Sequence, residues 1–273
     1  VIAMLELKES QTPINGTIRL LATAGEEVGQ LGAEALHEAG YLKDVEALLI
    51  AEPTGYYNMV YANKGELDIE LNSTGKAAHS SMPLLGNNAI EHLLAVLAQI
   101  RTRLTRLTAG VSNEVLGETL VNVDTISGGN QINAIPSFAT VGLNIRTIQD
   151  VSNEEILKSI EAVIAKYNAT TTGQIDMSVS MNIVAILGNE QAELLADVQR
   201  IAEPYAKKQT LTKETLVQME QVAIAAGIQN YQPGKIMKIG ISGGTDASKF
   251  LIEEPTGFSY LVYGPGNNTP HQD

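Results

Sequence analysis

Two adjacent glutamates, Glu26 and Glu27, close an apolar run, "TIRLLATA", and stand between Gly25 and Gly29. Neighbouring carboxylates repel, so a protein that keeps them at a strand end satisfies them with open water or with positive charge. Successive residues there point in opposite directions. One of the pair can bind a cation while the other faces a water molecule. A solvated turn is the plain alternative. Glu52 weighs against it, because this acid ends the next apolar run, "EALLIAE". Of the four histidines, His37 and His92 fall within amphipathic helical patterns and read as packing or surface residues. His271 follows the glycine-rich "YGPGNNTP", at the same predicted sheet edge as the acids, and His79 sits among small residues in "GKAAHSSMP", where it can approach a ligand closely. "SGGTD", residues 242–246, offers backbone N–H groups as a nest for a substrate carboxylate. A rival pattern overlaps it. Residues 240–244 fit G-x-S-x-G, a nucleophile elbow with Ser242 as nucleophile and His271 downstream. That reading, a metal-free serine esterase, must draw its acid from Asp246, Glu253 or Glu254, and it leaves Glu26, Glu27 and Glu52 without a role.

The elements that must position these groups follow from periodicity. The two runs before the acids suit strands of an α/β sheet, joined by a helix, "QLGAEALHEAGYL", that Gly40 closes. Ligands bind outside the carboxyl ends of such strands. From Ala62 the pattern changes to period two in "GELDIELNSTG". A helix with Ile90, Leu93, Leu94, Leu97, Ile100 and Leu104 on one stripe comes next, then strands "ETLVNVDTISGG" and "SFATVGLNIRT". A second helix opens with a Ser152/Glu155 capping box, and the strand "DMSVSMNIVAI" ends the series. The order β-α-β-β-α-β predicts a ferredoxin-like α+β domain over residues 62–185. It is inserted into a discontinuous α/β catalytic domain with a mixed central sheet, residues 1–61 and 186–273, which the strands "GKIMKIGIS" and "GFSYLVYGPG" rejoin.

Composition narrows the function. Hydrophobic residues are 44% and charged residues 18% of 273, enough for a buried core. The formal net charge of −13 argues against nucleic acid or an anionic membrane as partner. There is no cysteine, which excludes disulfides and thiol catalysis and fits a reducing, cytoplasmic compartment. No apolar run reaches the roughly 18 residues that span a bilayer. "VIAMLELKES" reads as a helix entered partway, without an N-cap.

Seven motifs in order carry a resemblance: "ATAGEEVGQLGA", "IAEPTG", "GKAAHSSMPLLGNNAI", "GGNQINAIP", "NIRT", "SGGTDAS" and "YGPGNNTPHQ". The chain resembles the acetylornithine deacetylase and succinyl-diaminopimelate desuccinylase family of dinuclear zinc amidohydrolases. The resemblance implies a zinc-exopeptidase-like catalytic domain and a lid domain that forms a homodimer. It implies two divalent metal ions per subunit, zinc first, with cobalt or manganese suited to the same donors. Glu26 would be the general base, Glu27 and His271 ligands of one metal, and Glu52 a ligand of the other. His79 would reach the partner subunit's site and stabilise the oxyanion. Asn133 and Arg146 would bind a substrate carboxylate from the lid, as a guanidinium does in bidentate fashion, and Ser242, Gly243, Gly244 and Thr245 would hold the substrate's backbone end. The implied substrate is a small N-acyl amino acid, N-succinyl-LL-2,6-diaminopimelate first, cleaved to succinate and LL-diaminopimelate for lysine biosynthesis. A dipeptide, acetylornithine or another acylamino acid is the alternative within the family. A lid serving chiefly as a dimerisation module is the non-enzymatic one. The family's first histidine ligand, its neighbouring aspartate and the aspartate bridging both metals lie upstream of the residues present here. The expectation is an N-terminally truncated chain, with the metal pair absent or badly bound and the isolated polypeptide inactive.

Overall fold

The structure, a computed structural model, describes residues 2–228, 230–264 and 266. Its first helix, α1 (Ile2–Glu9), buries none of its residues. The strand expected at "TIRLLATA" does not form. A strand requires a hydrogen-bonding neighbour, and no described residue pairs with this segment, whose Ile18 and Leu20 stay half exposed. The segment is held instead at single points. Leu21 packs against the core around Val60 and Tyr260, Arg19 donates to the Tyr41 carbonyl, and Thr23 donates to Asp246 at 2.6 Å. Helix α2 (Leu31–Glu38) follows and stops short of Gly40, as its pattern predicts. Strands β1 (Ala47–Ile50) and β2 (Asn58–Asn63) come next.

The chain then builds β3 (Gly65–Thr74), β4 (Ala78–His79), α3 (Ala89–Thr108), β5 (Leu120–Gly128), β6 (Ala134–Ile135), β7 (Phe138–Thr147), α4 (Asn153–Thr170) and β8 (Gln174–Ile183). Four of these strands form one antiparallel sheet in the order β5-β7-β3-β8, and β4 pairs with β6 apart from it. This is the ferredoxin-like arrangement that the sequence order predicts. Period two places Leu67, Ile69 and Leu71 of β3 and Val141, Leu143 and Ile145 of β7 on the buried face. There they meet Leu93, Val96, Leu97 and Ile100 of α3 and Ile156 and Ile160 of α4. Each such side chain contributes about 1.5–3 kcal/mol on burial. The capping box at Ser152 and Glu155 is present and starts α4. One stripe position differs: Val96 is buried, whereas Leu94 is half exposed. Leu94 lies to the side of the i, i+3, i+4, i+7 row set by Leu93 and shares a shallow groove with Ile126 of β5.

The remaining elements are β9 (Ile186–Leu187), α5 (Glu193–Ala206), α6 (Lys213–Ala225), β10 (Met237–Ile241), α7 (Ala247–Phe250) and β11 (Ser259–Val262). Strands β10 and β11 rejoin the first sheet, whose order is β1-β11-β2-β10 with β9 against β2. The sheet is mixed: β1 and β11 are parallel, β2 and β10 are parallel, and β11 is antiparallel to β2. The chain leaves this sheet after Asn63 and returns to it at Ile186. Among the described residues no helix is long and apolar enough to cross a membrane.

Candidate active site

Glycine builds the turn that carries the paired acids. Glu26–Val28 is a single 3-10 turn between Gly25, at φ 76°, and Gly29, at φ 98°. Both angles are left-handed, where a β-carbon costs about 1–2 kcal/mol. The two glycines therefore let the chain reverse sharply on either side of the carboxylates. Gln30 is also left-handed, at φ 60°. It is buried, and its Oε1 has no hydrogen-bond partner.

Glu26, Glu27 and Glu52 line one cavity of about 620 Å³, together with Gly243, Gly244 and Thr245. The cavity crosses a face of the mixed sheet over Val60, Ile239 and Ile241. Glu52 follows β1 and the glycine-rich loop follows β10, strands of opposite direction. The acids and the loop thus meet along a trough rather than at one sheet edge. The second wall comes from the ferredoxin-like sheet, through Glu66 of β3, Arg146 of β7, and Met181 and Ile183 of β8.

Glu52 is fixed by its neighbours. The Thr54 N–H donates to the Gly264 carbonyl at 3.3 Å, and the Gly264 N–H donates to Thr54 Oγ1 at 3.2 Å. Burial, then the charges of Asp246 and Glu27, push the Glu52 carboxyl above its ordinary range. A half-buried carboxylate in the field of two others is costly unless a cation joins it, so this donor set fits a divalent ion. It is a partial set. Among the described residues no group of three or more histidine, aspartate or glutamate side chains is assembled to hold a metal, and His271 lies outside the described residues.

The lid residues divide. His79 ends β4 and Asn133 immediately precedes its partner β6, and the Ser80 N–H donates to the Asn133 carbonyl at 3.0 Å. Both are exposed, and neither lines the cavity of this chain. His79 Nδ1 accepts from the Ser81 N–H at 3.2 Å. Nδ1 also lies 2.8 Å from the Ser81 hydroxyl, and with Nδ1 accepting, a neutral ring carries its proton on Nε2 and can donate from there. Arg146 does line the cavity, but its guanidinium is already engaged. Nη2 and Nη1 grip Glu66 at 2.6 and 2.7 Å, Nε donates to Asn144 at 3.1 Å, and Nη1 also reaches the Ser242 carbonyl at 3.4 Å. Ser242 enters through that carbonyl. Its hydroxyl bonds to none of the described histidines, which pair with Ser81 (His79), with Tyr167 and Asn87 (His92), and with Glu253 (His37).

Sequence reasoning missed Glu66, Gln30 and the part of Asp246 that faces Glu52. Glu66 had a signal. It lies in the period-two run "GELDIEL", and antiparallel pairing sets it directly opposite Arg146.

Residues 61–172 match the M20 peptidase dimerisation domain. The stretch encloses β3 through α4, the bulk of the ferredoxin-like unit. The chain resembles the M20 family over nearly its whole length. It is 31% identical over 289 residues to the "Probable succinyl-diaminopimelate desuccinylase" of Staphylococcus aureus, which covers 98% of this chain and 64% of that protein. The protein of the same name from Staphylococcus epidermidis gives 31% over 290 residues, with 98% and 64% covered. The chain thus spans slightly less than two thirds of the length of the curated relatives it matches. The fold likeness is equally broad. An aminopeptidase of Bacillus cereus superposes with a TM-score of 0.66 at 18% identity, covering 99% of this chain and 61% of that one. A tripeptidase of S. aureus gives 0.59 at 22%, covering 99% and 62%.

Proposed function

We propose that this chain carries the substrate site of a metal-dependent hydrolase that cleaves the amide bond of a small N-acyl amino acid. The observation that carries the proposal is the convergence of Glu26, Glu27 and Glu52 with the Gly243–Thr245 loop on one cavity. Glu27 and Glu52 would hold the divalent cations, zinc first, with His271 as a further ligand. Bound there, such ions supply water acidified to a pKa of about 7 and polarise a carbonyl. Glu26 takes the proton from the attacking water and delivers it to the leaving amine, a contribution of about 10²–10⁴-fold. The backbone N–H groups around Gly243, Gly244 and Thr245 receive the substrate's carboxylate. Val60, Ile239 and Ile241 give the cavity an apolar wall.

Residues 62–185 act as lid and dimerisation domain within a catalytic domain of residues 1–61 and 186–273. The exposure of Leu120, Val123 and Ile126 on the outer strand β5, beside Leu94, supports pairing of two lids. In that dimer His79 and Asn133 serve the partner's cavity, which accounts for their distance from this chain's own. The cytoplasm is the compartment of such an enzyme. Sequence likeness to proteins named as desuccinylases favours N-succinyl-LL-diaminopimelate as substrate. The protein carrying this chain, assayed on a panel of N-acyl amino acids and dipeptides, should lose activity to a chelator and recover it with zinc. Loss to a serine-directed phosphonate, with indifference to chelator, would instead make Ser242 the nucleophile.

A further inference from the structure

Gln30 follows the turn of the paired acids, and its N–H donates to the Glu26 carbonyl at 3.1 Å. Its backbone is left-handed, at φ 60°, a conformation that strains any residue with a β-carbon. Glycine avoids that strain at Gly25 and Gly29, where φ is also positive, but not here. The side chain does not offset it through bonds of its own. Gln30 is 2% exposed, lines the cavity, and leaves Oε1 without a hydrogen-bond partner. A buried acceptor left unfilled adds to the cost. Backbone strain and an orphaned acceptor on one cavity-lining residue together point to a ligand that brings a donor. The other end of the carboxamide says where. A β-carbon on Gly244 would lie 3.4 Å from Gln30 Nε2 and against Ile183 Cδ1, so the amide packs on the bare α-carbon of the glycine-rich loop. Gln30 thus bridges the turn of Glu26 and the loop of Gly244.

We propose that Gln30 is a specificity-determining residue whose carboxamide oxygen accepts the N–H that a bound N-acyl amino acid carries next to its carboxylate. The inference rests on the proposed function, which gives the carboxylate to the Gly243–Thr245 loop and the leaving nitrogen to Glu26. In an N-acyl amino acid that nitrogen and the carboxylate share one α-carbon. A ligand held at both ends therefore brings its N–H between the loop and the turn, the span that Gln30 bridges. An ester or a ketone of the same outline has no hydrogen there and would leave Oε1 buried and unfilled, the situation in which a site discriminates strongly. The class selected is the secondary amide. Esters and tertiary amides, N-acylprolines included, are the class that Gln30 disfavours.

The test is binding, measured by calorimetry on the protein carrying this chain, with N-acetylglycine and levulinate as probes. Levulinate keeps the acetyl group and the carboxylate and puts a methylene in place of the N–H. The parent should bind N-acetylglycine about tenfold or more tighter than levulinate, the scale of one buried acceptor filled or left empty. Gln30→Met, close in length and without the carboxamide, should bring the two affinities within about twofold by weakening N-acetylglycine, while far-UV dichroism and melting confirm the fold. Equal affinities in the parent, or no binding of either probe to it, would overturn the proposal without any variant. A preference that survives in Gln30→Met, or an equal loss of both probes in the folded variant, would overturn it too. Hydrolysis is scored separately. Affinities that shift as expected, with N-acetylglycine left uncleaved after zinc loading, would contradict the hydrolase reading and leave the role of Gln30 intact.

Discussion

The ferredoxin-like unit and the first thirty residues make opposite use of apolar sequence. In the former, the inward-facing apolar residues of β3 and β7 meet helices from the same unit, and one continuous core results. In residues 2–29 no residue is buried, although Leu5, Ile14, Ile18 and Leu20 are as apolar as anything in that core. The difference teaches that hydrophobic pattern becomes structure only where the chain also supplies the opposing face. The Glu26–Glu27 turn belongs to the second region. Its geometry rests on two left-handed glycines and on contacts with α2 and Asp246 rather than on core packing.

The comparison breaks most readily through core truncation. Ile160→Ala, in α4, should cost about 2–5 kcal/mol in a denaturant melt, whereas Leu5→Ala in α1 should stay within about 0.5 kcal/mol. Equal effects would erase the distinction. A smaller but more local effect is expected at Gly32, where an added β-carbon would meet the Ala24 backbone nitrogen and carbonyl oxygen at 2.5 and 2.6 Å. Backbone cannot yield as a side-chain tip does, so Gly32→Ala should cost about 1–3 kcal/mol and weaken metal binding more than it lowers the melting midpoint of the ferredoxin-like unit.

How much of this was legible follows from the same contrast. The capping box at Ser152, the β3 alternation and the four-strand order could be read because each signal is local or is answered within the same hundred residues. The expected strand at "TIRLLATA" failed because period and composition say nothing of whether a neighbouring strand is there to pair with. Glu26, Glu27 and Glu52 line one cavity, although the strand expected before the first two does not form, and the trough that joins them to Gly243–Thr245 had no local signal. Strand direction in a mixed sheet is set by connections that single motifs do not encode. Arg146 was read as a carboxylate binder, and the β3–β7 register, which no single motif encodes, sets Glu66 opposite it.

The smallest effects sharpen the comparison at one helix end. Ser152→Ala should cost about 1 kcal/mol. Hydrogen bonds from the Ser152 N–H and hydroxyl hold the Glu155 carboxyl below the usual carboxylate value of 4.5. A depressed folded-state value means the contribution is complete above about pH 4.5 and fades as pH falls through the lower, folded value. Glu155→Gln should therefore leave a melting profile that is flatter on the acid side and displaced at neutral pH, as acid titration of both forms would reveal.

The account depends most on Glu27 and Glu52 acting together at one cation site. Anomalous diffraction at the zinc edge, on zinc-soaked crystals of the protein carrying this chain, addresses that directly. The expected result is a peak in the cavity bounded by both carboxylates, lost in Glu52→Gln. A cavity without a peak, or a peak that persists unchanged in that variant, would contradict it.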